Sequence, residues 1–314
     1  MQVCIIGGGG LVGSMAAFAM QCSNVISRLC LVDAHHDLAQ GQATDLLHGA
    51  ALTGDLRVTA SDLSEIPNSD LVVITAGLRR KPDESRLDLI DRNVDLFLQL
   101  LGQCRTAGWK KNTTLLVVSN PVDILTHLAV QRSGLEPQRV LGLGTQLDTA
   151  RLRGYISSAI KVPASQVQAI ILGEHGDSMV PIWSSATVQG LPLEHWPGWT
   201  MALQRSVFES TKTAGATLIK LKGGSGFAVG LSIREVVETI LLNQRRLLPV
   251  STMQTGCYGI RDLCLSVPTI LGCQGVVQQW EIPLTPKEKL ALQQSARVLQ
   301  QTLDHVHQRV GKSK

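Results

Sequence analysis

The sequence predicts an α/β protein in which a doubly wound parallel sheet is followed by an α+β domain. In the first half of its 314 residues, short apolar runs rich in β-branched side chains alternate with stretches long enough for helices. Continuous apolar runs are typical of parallel strands that helices cover on both faces. The alternation ends near residue 142, so we expect one domain over residues 1–142 and a second over residues 143–314.

The strands and helices of the first half follow one another in regular order. We predict strands at Val3–Ile6, Leu29–Val32, Leu71–Thr75 and Leu115–Val118, and helices at Leu11–Gln21, about Leu38–Leu47, Leu87–Cys104 and Val122–Val130. Strand, helix and strand in repetition form the crossovers of a doubly wound sheet. From Val140 onward, helices and irregular strands follow in mixed order, as expected of an α+β domain.

The last helix has a clear start signal. Thr285, Pro286 and Glu288 place an N-cap threonine, a proline in the first turn and a glutamate at the third helical position, which together form a capping box. Apolar residues then recur every three or four positions from Leu292 to Val310. We therefore predict a long C-terminal helix with one buried face.

Composition and charge exclude several classes of protein. Hydrophobic residues make up 44% of the chain and charged residues 17%, which is typical of a folded protein with a large core. The formal net charge of +4 is spread along the sequence, so we expect no nucleic-acid partner. No apolar run approaches the roughly 20 residues of a membrane helix, and the strand-like start at Gln2 leads us to expect no export signal.

The cysteines also limit the possibilities. All seven are scattered among mostly apolar residues, and no two of them form a C-x-x-C pair. This odd, dispersed set argues against a disulfide framework and against a zinc site. We therefore expect a protein of the reducing cytoplasm with no bound metal.

A glycine-rich turn follows the first predicted strand and opens the first predicted helix. The run Gly8-Gly9-Gly10-Leu11-Val12-Gly13 has the G-x-G-x-x-G spacing in which glycines permit a tight turn and a close approach of the backbone to a pyrophosphate. The helix N-terminus adds amide hydrogens and the positive end of a dipole. Because Gly7 precedes the run, more than one register is possible, and a merely permissive turn is the alternative interpretation.

An acidic residue at the expected distance supports a dinucleotide site. Asp33 follows the second predicted strand and lies 20 residues beyond Gly13, where a carboxylate can bond the ribose hydroxyls. The same charge would repel a 2′-phosphate. We therefore predict NAD rather than NADP, with a strand-ending carboxylate as the alternative role for Asp33.

The candidate catalytic group is His175, which lies between two glycines directly after the apolar run Ile170–Leu172. Histidine can gain or lose a proton near neutral pH, although a lone histidine beside an apolar run is more often a hydrogen-bonded core residue. Asp148 and Arg151 share one face of a predicted helix. Asp148 could orient and charge the imidazole, and Arg151 could bind a carboxylate; a surface ion pair is the alternative for these two.

These segments, taken together, resemble the lactate/malate dehydrogenase family, and most of all its lactate-dehydrogenase-like malate dehydrogenases. The motifs occur in the order found in the family, from residue 3 to about residue 235. They are the glycine-rich turn with Asp33, Asp45–Gly49, Ile74–Gly77, Arg86–Leu89 with Arg92 and Asn93, Ser119–Asp123, Leu147–Arg151 and Leu172–Asp177. The resemblance implies a Rossmann NAD-binding domain followed by a catalytic domain.

The resemblance also implies a role for each matching residue. His175 would exchange a proton with the substrate oxygen while the nicotinamide exchanges a hydride, and Asp148 would orient it. Arg151 would hold the substrate carboxylate, and Arg86, on a closing loop, would polarise the carbonyl. Asn120 would bond the substrate hydroxyl, next to a cis bond with Pro121. Further cofactor contacts are implied for Gly8, Gly10, Leu11, Val12, Gly13, Asp33, Thr75, Ala76, Gly77, Asn93, Ser119 and Asn120.

The substrate is a separate question. Malate dehydrogenases of the family place arginine six residues before the position of Arg86, where lactate dehydrogenases place glutamine, and this chain has Arg80. A guanidinium there pairs with a second carboxylate, whereas beside a methyl group it would be an unpaired charge. Ser225, where lactate enzymes usually have threonine, is again similar to malate enzymes. By contrast, the segment from Glu84 is more like lactate dehydrogenases, and Asp83 places a negative charge beside Arg80.

The sequence therefore favours an NAD-dependent malate dehydrogenase that interconverts oxaloacetate and malate, as in the tricarboxylic acid cycle. An L-lactate dehydrogenase acting on pyruvate is one alternative. A NAD-binding protein without catalytic activity is the other, although the complete set of matching catalytic residues argues against it. The resemblance implies a homo-oligomer, with a tetramer favoured over a dimer.

Overall fold

The computed structural model describes residues 1–79 and 83–312. Within these ranges the first half of the chain alternates strands with helices, as predicted. Its elements are β1 (Gln2–Ile6), α1 (Leu11–Gln21), β2 (Arg28–Val32), α2 (His36–Thr53), β3 (Arg57–Ser61), β4 (Leu71–Ile74), α3 (Arg86–Ala107), β5 (Thr114–Val117), α4 (Val122–Arg132) and β6 (Val140–Gly142).

The second half mixes short strands with long helices. Its elements are α5 (Gln146–Ile160), β7 (Val167–Gln168), β8 (Ile171–Leu172), β9 (Val180–Pro181), β10 (Thr187–Val188), β11 (Leu191–Pro192), α6 (Met201–Lys222), α7 (Phe227–Leu241), β12 (Leu247–Thr255), β13 (Arg261–Gly272), β14 (Gly275–Gln279) and α8 (Pro286–Lys312). The predicted fold class, a Rossmann sheet followed by an α+β region, is confirmed.

The central sheet of the described chain has the strand order β14-β13-β12-β6-β5-β4-β1-β2-β3. β1 to β6 are parallel, and the order reverses between β1 and β4. Such a reversal opens a crevice at the carboxyl ends of the strands, where ligands of doubly wound folds bind. The antiparallel strands β12 to β14 extend the sheet beyond β6. The two predicted domains therefore share one sheet, and the boundary at residue 142 stays a prediction.

The first half differs from the sequence-based prediction at its edge strand. β3 was not predicted because its five residues contain no continuous apolar run, and only Val58 among them is buried. It is the edge strand of the sheet. α2 also extends beyond the predicted limits, to His36 and Thr53. Polar residues in an exposed helix give a weak apolar period, which explains the short prediction.

The two halves pack together through α1 and α7. A Cβ atom added to Gly230 of α7 would lie 2.6 Å from the Met15 carbonyl oxygen of α1, so the two helices touch backbone to backbone. Ala16, Ala17 and Ile233 belong to the same buried core. Close contact at small residues fixes the catalytic half against the helix that follows the glycine-rich turn.

The predicted capping box of the last helix is confirmed. The amide of Thr285 donates to the Glu288 carboxylate at 2.9 Å, and the amide of Glu288 donates to Thr285 Oγ1 at 3.3 Å. Glu288 also accepts the Ser184 amide at 3.0 Å, a contact that the sequence did not predict. Leu292, Leu299, Leu303 and Val306 are buried, as expected for one apolar face.

No helix within residues 1–79 and 83–312 is long and apolar enough to cross a membrane. In the same part of the chain, His, Cys, Asp and Glu side chains form no cluster of three or more that could hold a metal ion. All seven cysteines are free thiols.

Candidate active site

The glycine-rich turn is shaped by close contacts that leave no room for side chains. Gly7 has a φ of +91°. A Cβ atom on Gly13 would lie 2.2 Å from the Gly7 carbonyl oxygen, and one on Gly8 would lie 2.8 Å from Leu31 Cβ. At Gly10 the nearest atom would be 3.4 Å away. Neighbouring atoms thus fill the space that a side chain at Gly8 or Gly13 would need, whereas Gly10 faces open space. The register Gly8–Gly10–Gly13 requires this pattern.

The start of α1 suits an anion. Gly10 is the N-cap, no side chain caps the helix, and its first turn carries no acidic residue. The first amide groups of the helix therefore lack side-chain partners and point toward the carboxyl edge of the sheet. This arrangement fits the pyrophosphate of a dinucleotide bound by Gly10, Leu11, Val12 and Gly13.

Asp33 joins the turn to the next loop. Its Oδ2 accepts the Gly9 amide at 3.0 Å and its Oδ1 accepts the His35 amide at 3.0 Å. The carboxylate is therefore held at the end of β2 by two backbone donors and is half-buried. Each oxygen keeps a second lone pair, so Asp33 can still accept a ribose hydroxyl. Its contact with the cofactor stays a prediction.

The predicted cofactor contacts after β4 and β5 also shape the backbone. Thr75 Oγ1 donates to the Ile6 carbonyl at 3.0 Å, and Ser119 Oγ donates to the Ala76 carbonyl at 2.5 Å. Asn93 of α3 accepts the Leu78 amide at 2.8 Å. These bonds tie the segment containing Ala76 and Gly77 to β1, β5 and α3. The structure therefore gives three of these side chains an intramolecular role that the sequence did not predict.

His175 contacts Asp148, the partner predicted for it, and Asp148 in turn binds Arg151. The turn after β8 carries the imidazole to α5, where His175 Nδ1 lies 2.5 Å from Asp148 Oδ2. Arg151 donates to the other oxygen of Asp148 at 3.0 Å. The Asp148 side chain is fully buried, and the Arg151 and His175 side chains are 13% and 20% exposed. The ring can therefore be reached from outside, while its charged partner cannot.

The three groups set each other's protonation. Burial lowers the pKa of His175, but the charge and hydrogen bond of Asp148 outweigh it, so the pKa lies above the ordinary value of 6.5. Burial raises the pKa of Asp148, but His175 and Arg151 outweigh it and hold the pKa below 3.8. An ionised Asp148 fixes the proton on Nδ1, which leaves Nε2 to exchange a proton with a bound molecule.

Arg86 lies at the same turn. It is the first residue of α3, and its guanidinium donates to Asp177 at 2.7 Å and lies 3.7 Å from Glu174. The Arg86 side chain is 63% exposed. The structure thus brings Arg86 to the loop that carries His175, with carboxylates as its partners. Neither Asp177 nor Glu174 had been assigned a function from the sequence.

Two further residues, Asn120 and Ser225, were predicted to contact the substrate. Asn120 is exposed at the end of β5, and its peptide bond with Pro121 is cis, as predicted. Ser225 is half-buried between α6 and α7. Its neighbours Gly224 and Gly226 pack against Leu11 at the start of α1, so Ser225 lies beside the predicted cofactor site.

Arg80, on which the substrate prediction depends, lies outside the described residues. Asp83 and Arg79, which flank the gap, are both exposed. Glu84 forms an ion pair with Arg92 at 2.5 Å. The choice between a monocarboxylate and a dicarboxylate therefore has no geometric test among the described side chains.

The sequence also gave no indication of a second carboxylate that supports the catalytic turn. Asp123 of α4 accepts the amide of His175 at 2.8 Å and is only 3% exposed. It lies three residues after Asn120 and was noted only as part of a motif. Its burial depends on α4 packing against β12 and β13, which no local pattern indicates.

Comparisons with known proteins agree with this geometry. A family model described as "lactate/malate dehydrogenase, NAD binding domain" matches residues 1–142, and one described as "lactate/malate dehydrogenase, alpha/beta C-terminal domain" matches residues 145–310. A protein of Gloeobacter violaceus named L-lactate dehydrogenase is 41% identical over 95% of this chain and 92% of its own length.

Solved structures of both kinds are similar. The minor L-lactate dehydrogenase of Enterococcus mundtii has a TM-score of 0.93 and 36% identity, and the match covers 97% of this chain and 98% of that one. The malate dehydrogenase of Salinibacter ruber has a TM-score of 0.92 and 32% identity, with full coverage of both chains. Similarity of fold therefore does not separate the two substrates.

Proposed function

This chain belongs to the lactate/malate dehydrogenase family and uses NAD, and on this premise we propose that it interconverts a short 2-oxo acid and its L-2-hydroxy acid with His175 as proton donor and acceptor. The observation that carries the proposal is the 2.5 Å contact between His175 Nδ1 and the buried Asp148, with Arg151 on the same carboxylate. A core histidine would need neither a buried charge nor an accessible ring.

The proposed step balances one hydride and one proton. NADH, when bound, supplies the hydride that adds to the substrate carbon. The protonated His175 gives its Nε2 proton to the carbonyl oxygen, and Asp148 stabilises the imidazolium before transfer. In the reverse direction the neutral imidazole takes the hydroxyl proton. The raised pKa of His175 favours the charged form in the free site.

Three other side chains would hold the substrate. Arg151, partly buried beside Asp148, has the fork of donors that fits the C1 carboxylate. Arg86 would exchange its contact with Asp177 for the substrate carbonyl, where its charge opposes the developing negative charge. Asn120, exposed next to the cis bond, would bond the substrate oxygen.

For the substrate itself we propose pyruvate and L-lactate first. Curated relatives that match 93–98% of this chain carry the name L-lactate dehydrogenase. Oxaloacetate and malate, which the sequence had favoured, are the second candidate. Arg80 supports them, since its charge suits a second carboxylate, and so does the similarity to a malate dehydrogenase structure.

A direct competition decides between the two. NADH oxidation is measured with pyruvate and with oxaloacetate for the wild type, Arg80→Gln and the matched control Arg79→Gln. The pyruvate proposal expects a higher kcat/KM for pyruvate in the wild type. If oxaloacetate is preferred, and only Arg80→Gln shifts the preference toward pyruvate by about tenfold or more, the second candidate is correct. A wild type that binds NADH and turns over neither acid would be a NAD-binding protein without this activity.

We also propose a preference for NADH over NADPH, a homo-oligomer with a tetramer favoured over a dimer, and a cytoplasmic location. The position of Asp33, held by two backbone donors, supports the first, because its charge would oppose a 2′-phosphate. Seven free thiols are consistent with a reducing compartment. Equal rates with NADH and NADPH would contradict the cofactor preference. A monomer in analytical sedimentation would contradict the homo-oligomer.

A further inference from the structure

A cavity lies between α3 and α4, and none of its lining residues belongs to the predicted cofactor or catalytic site. Its volume is about 410 Å³, within the range of small-molecule sites. Leu98, where it begins on α3, lies about 18 Å along the helix from Arg86, since each helical residue rises about 1.5 Å. We call this cavity the α3–α4 pocket. Its lining residues are Leu98, Leu101, Gly102, Arg105, Gln131 and Arg132.

The α3–α4 pocket combines two positive charges with an apolar wall. Arg105 lies in the last turn of α3 and Arg132 in the last turn of α4. Within residues 1–79 and 83–312 neither arginine forms an ion pair. The apolar wall is made by Leu98, which is half-buried, and by Leu101, which is buried. The pocket therefore offers positive charge beside apolar surface.

The helix dipole alone does not explain this arrangement. Arginines in the last turn of a helix are stabilised by the negative end of its dipole, but the dipole does not require them to line one cavity. A Cβ atom on Gly134 would lie 3.9 Å from Arg105 Nε, so this side chain reaches the loop after α4. Asp95, three residues before Leu98, pairs with Arg309 at 2.7 Å. The nearest carboxylate along this face of α3 is thus already paired with another guanidinium.

From this geometry we propose that the α3–α4 pocket binds a small phosphate ester, with its phosphate between Arg105 and Arg132 and its carbon part against Leu98 and Leu101. A phosphate monoester carries nearly two negative charges at neutral pH, which matches two guanidinium groups. The fork of a guanidinium also fits two phosphate oxygens at once. The apolar wall adds affinity only for a ligand that has a carbon part.

Gln131 connects the α3–α4 pocket to the interior of the fold. Its side-chain amide lies 2.8 Å from Nε2 of His127, one turn earlier on α4, and His127 is only 3% exposed. The His127 ring packs against His307 of α8, with the ring centroids 5.5 Å apart. A phosphate that binds the Gln131 amide would therefore change the hydrogen bond of a buried ring. That ring can report whether the pocket is occupied.

Three ligands test the chemistry of the pocket. Binding of phenyl phosphate, inorganic phosphate and benzoate is measured by calorimetry at saturating NADH, so that the predicted cofactor site is filled. Phenyl phosphate is expected to bind about tenfold or more tightly than the other two. Inorganic phosphate lacks the apolar ring, and benzoate carries a single charge. If phenyl phosphate does not bind, or binds no more tightly than benzoate, the proposal is wrong.

Two variants with a matched control locate the bound phosphate. Arg105→Gln and Arg132→Gln each remove one guanidinium and are expected to weaken phenyl phosphate binding by about tenfold or more. Arg297→Gln removes an exposed arginine of α8 that does not line the pocket, and its binding should equal that of the wild type. All three positions are exposed, so we expect folded variants. Equal binding by all three would show that the anion binds elsewhere, for example at Arg151.

A spectroscopic measurement on the wild type tests the contact with Gln131. Burial and the charge of His307 lower the pKa of His127 to about 4, against Asp262, which raises it. The ring is therefore neutral near pH 7, and a change in its signal there does not reflect titration. With histidine labelled at Cε1, the NMR signal of His127, assigned by its loss in His127→Gln, should move when phenyl phosphate is added.

The same signal should stay unchanged when phenyl phosphate is added to Arg105→Gln at the same concentration. Phenyl phosphate that binds the wild type without moving the His127 signal would contradict the proposed position of the phosphate. None of these measurements uses oxo-acid reduction, so a failure of the proposed function would leave their result unaffected.

Discussion

The glycine-rich turn and the catalytic turn both lie at carboxyl ends of strands, but they are built in opposite ways. The first is shaped by the absence of side chains, because Cβ atoms at Gly8 and Gly13 would meet backbone and side-chain atoms within 3 Å. The second is shaped by partners from β13, α8, α4 and α5. The first turn therefore depends on close packing against the neighbouring strands, and the second depends on hydrogen bonds from four elements that are far apart in the chain.

The largest expected effect follows from removing the imidazole. His175→Ala loses the proton donor and leaves Asp148 buried with Arg151 alone, so kcat falls by about 10²–10⁴-fold. The glycine-rich turn shares no hydrogen bond with His175, so NADH affinity, measured by fluorescence titration, stays close to that of the wild type. A variant that keeps most of its turnover would contradict the role of His175. It would also contradict the assignment of proton transfer to the catalytic turn and of cofactor binding to the glycine-rich turn.

The pH dependence of the two directions is the next effect in size. Reduction needs protonated His175, and the pKa of His175 is raised above 6.5. We therefore expect kcat/KM for the oxo acid to be constant below that raised pKa and to fall about tenfold per pH unit above it. For oxidation of the hydroxy acid, kcat/KM rises over the same range, since the neutral ring is needed. NADH affinity, which depends on the other turn, should not follow this profile.

A pair of glycine substitutions examines the local turn. Gly13→Ala places a methyl group against the Gly7 carbonyl and is expected to cost about 1–3 kcal/mol or more in the free energy of unfolding. Gly10→Ala meets no atom within 3.4 Å, so its stability changes by about 1 kcal/mol or less. Its NADH affinity falls by about tenfold or more, because the methyl group occupies space left for the cofactor.

Urea unfolding and NADH titration of both variants provide the check. If Gly10→Ala were the less stable variant, or bound NADH as tightly as the wild type, the register Gly8–Gly10–Gly13 would be wrong. The pair is its own control, since both changes add one methyl group to the same turn.

The same contrast explains how much could be predicted from the sequence. Strands β1, β2, β4 and β5 were located within a residue or two because buried parallel strands have continuous apolar runs. His175, Asp148 and Arg151 were identified through motifs, and the predicted contact between His175 and Asp148 is confirmed, whereas the roles of the three residues stay predictions. The supports of the turn were missed, since Asp123 and Ser295 lie 52 and 121 residues from their partners. No local spacing encodes such contacts; they follow from the packing of α4 and α8 against the sheet.

The smallest expected effect concerns one of these distant supports. Ser295 is fully buried in α8, and its Oγ accepts the Glu174 amide. Ser295→Ala leaves that amide without its acceptor, which costs about 1 kcal/mol of stability and lowers kcat a few-fold through a displaced turn. NADH affinity should not change.

The matched control is Ser232→Ala, at a buried serine of α7 whose hydroxyl, within the described part of the chain, donates only to the Ala228 carbonyl of its own helix. A similar loss of stability with unchanged kcat is expected there. If Ser295→Ala also lost stability without a change in kcat, the hydrogen bond of the Glu174 amide would contribute to stability alone. The catalytic turn would then depend on α4 and α5 and not on α8.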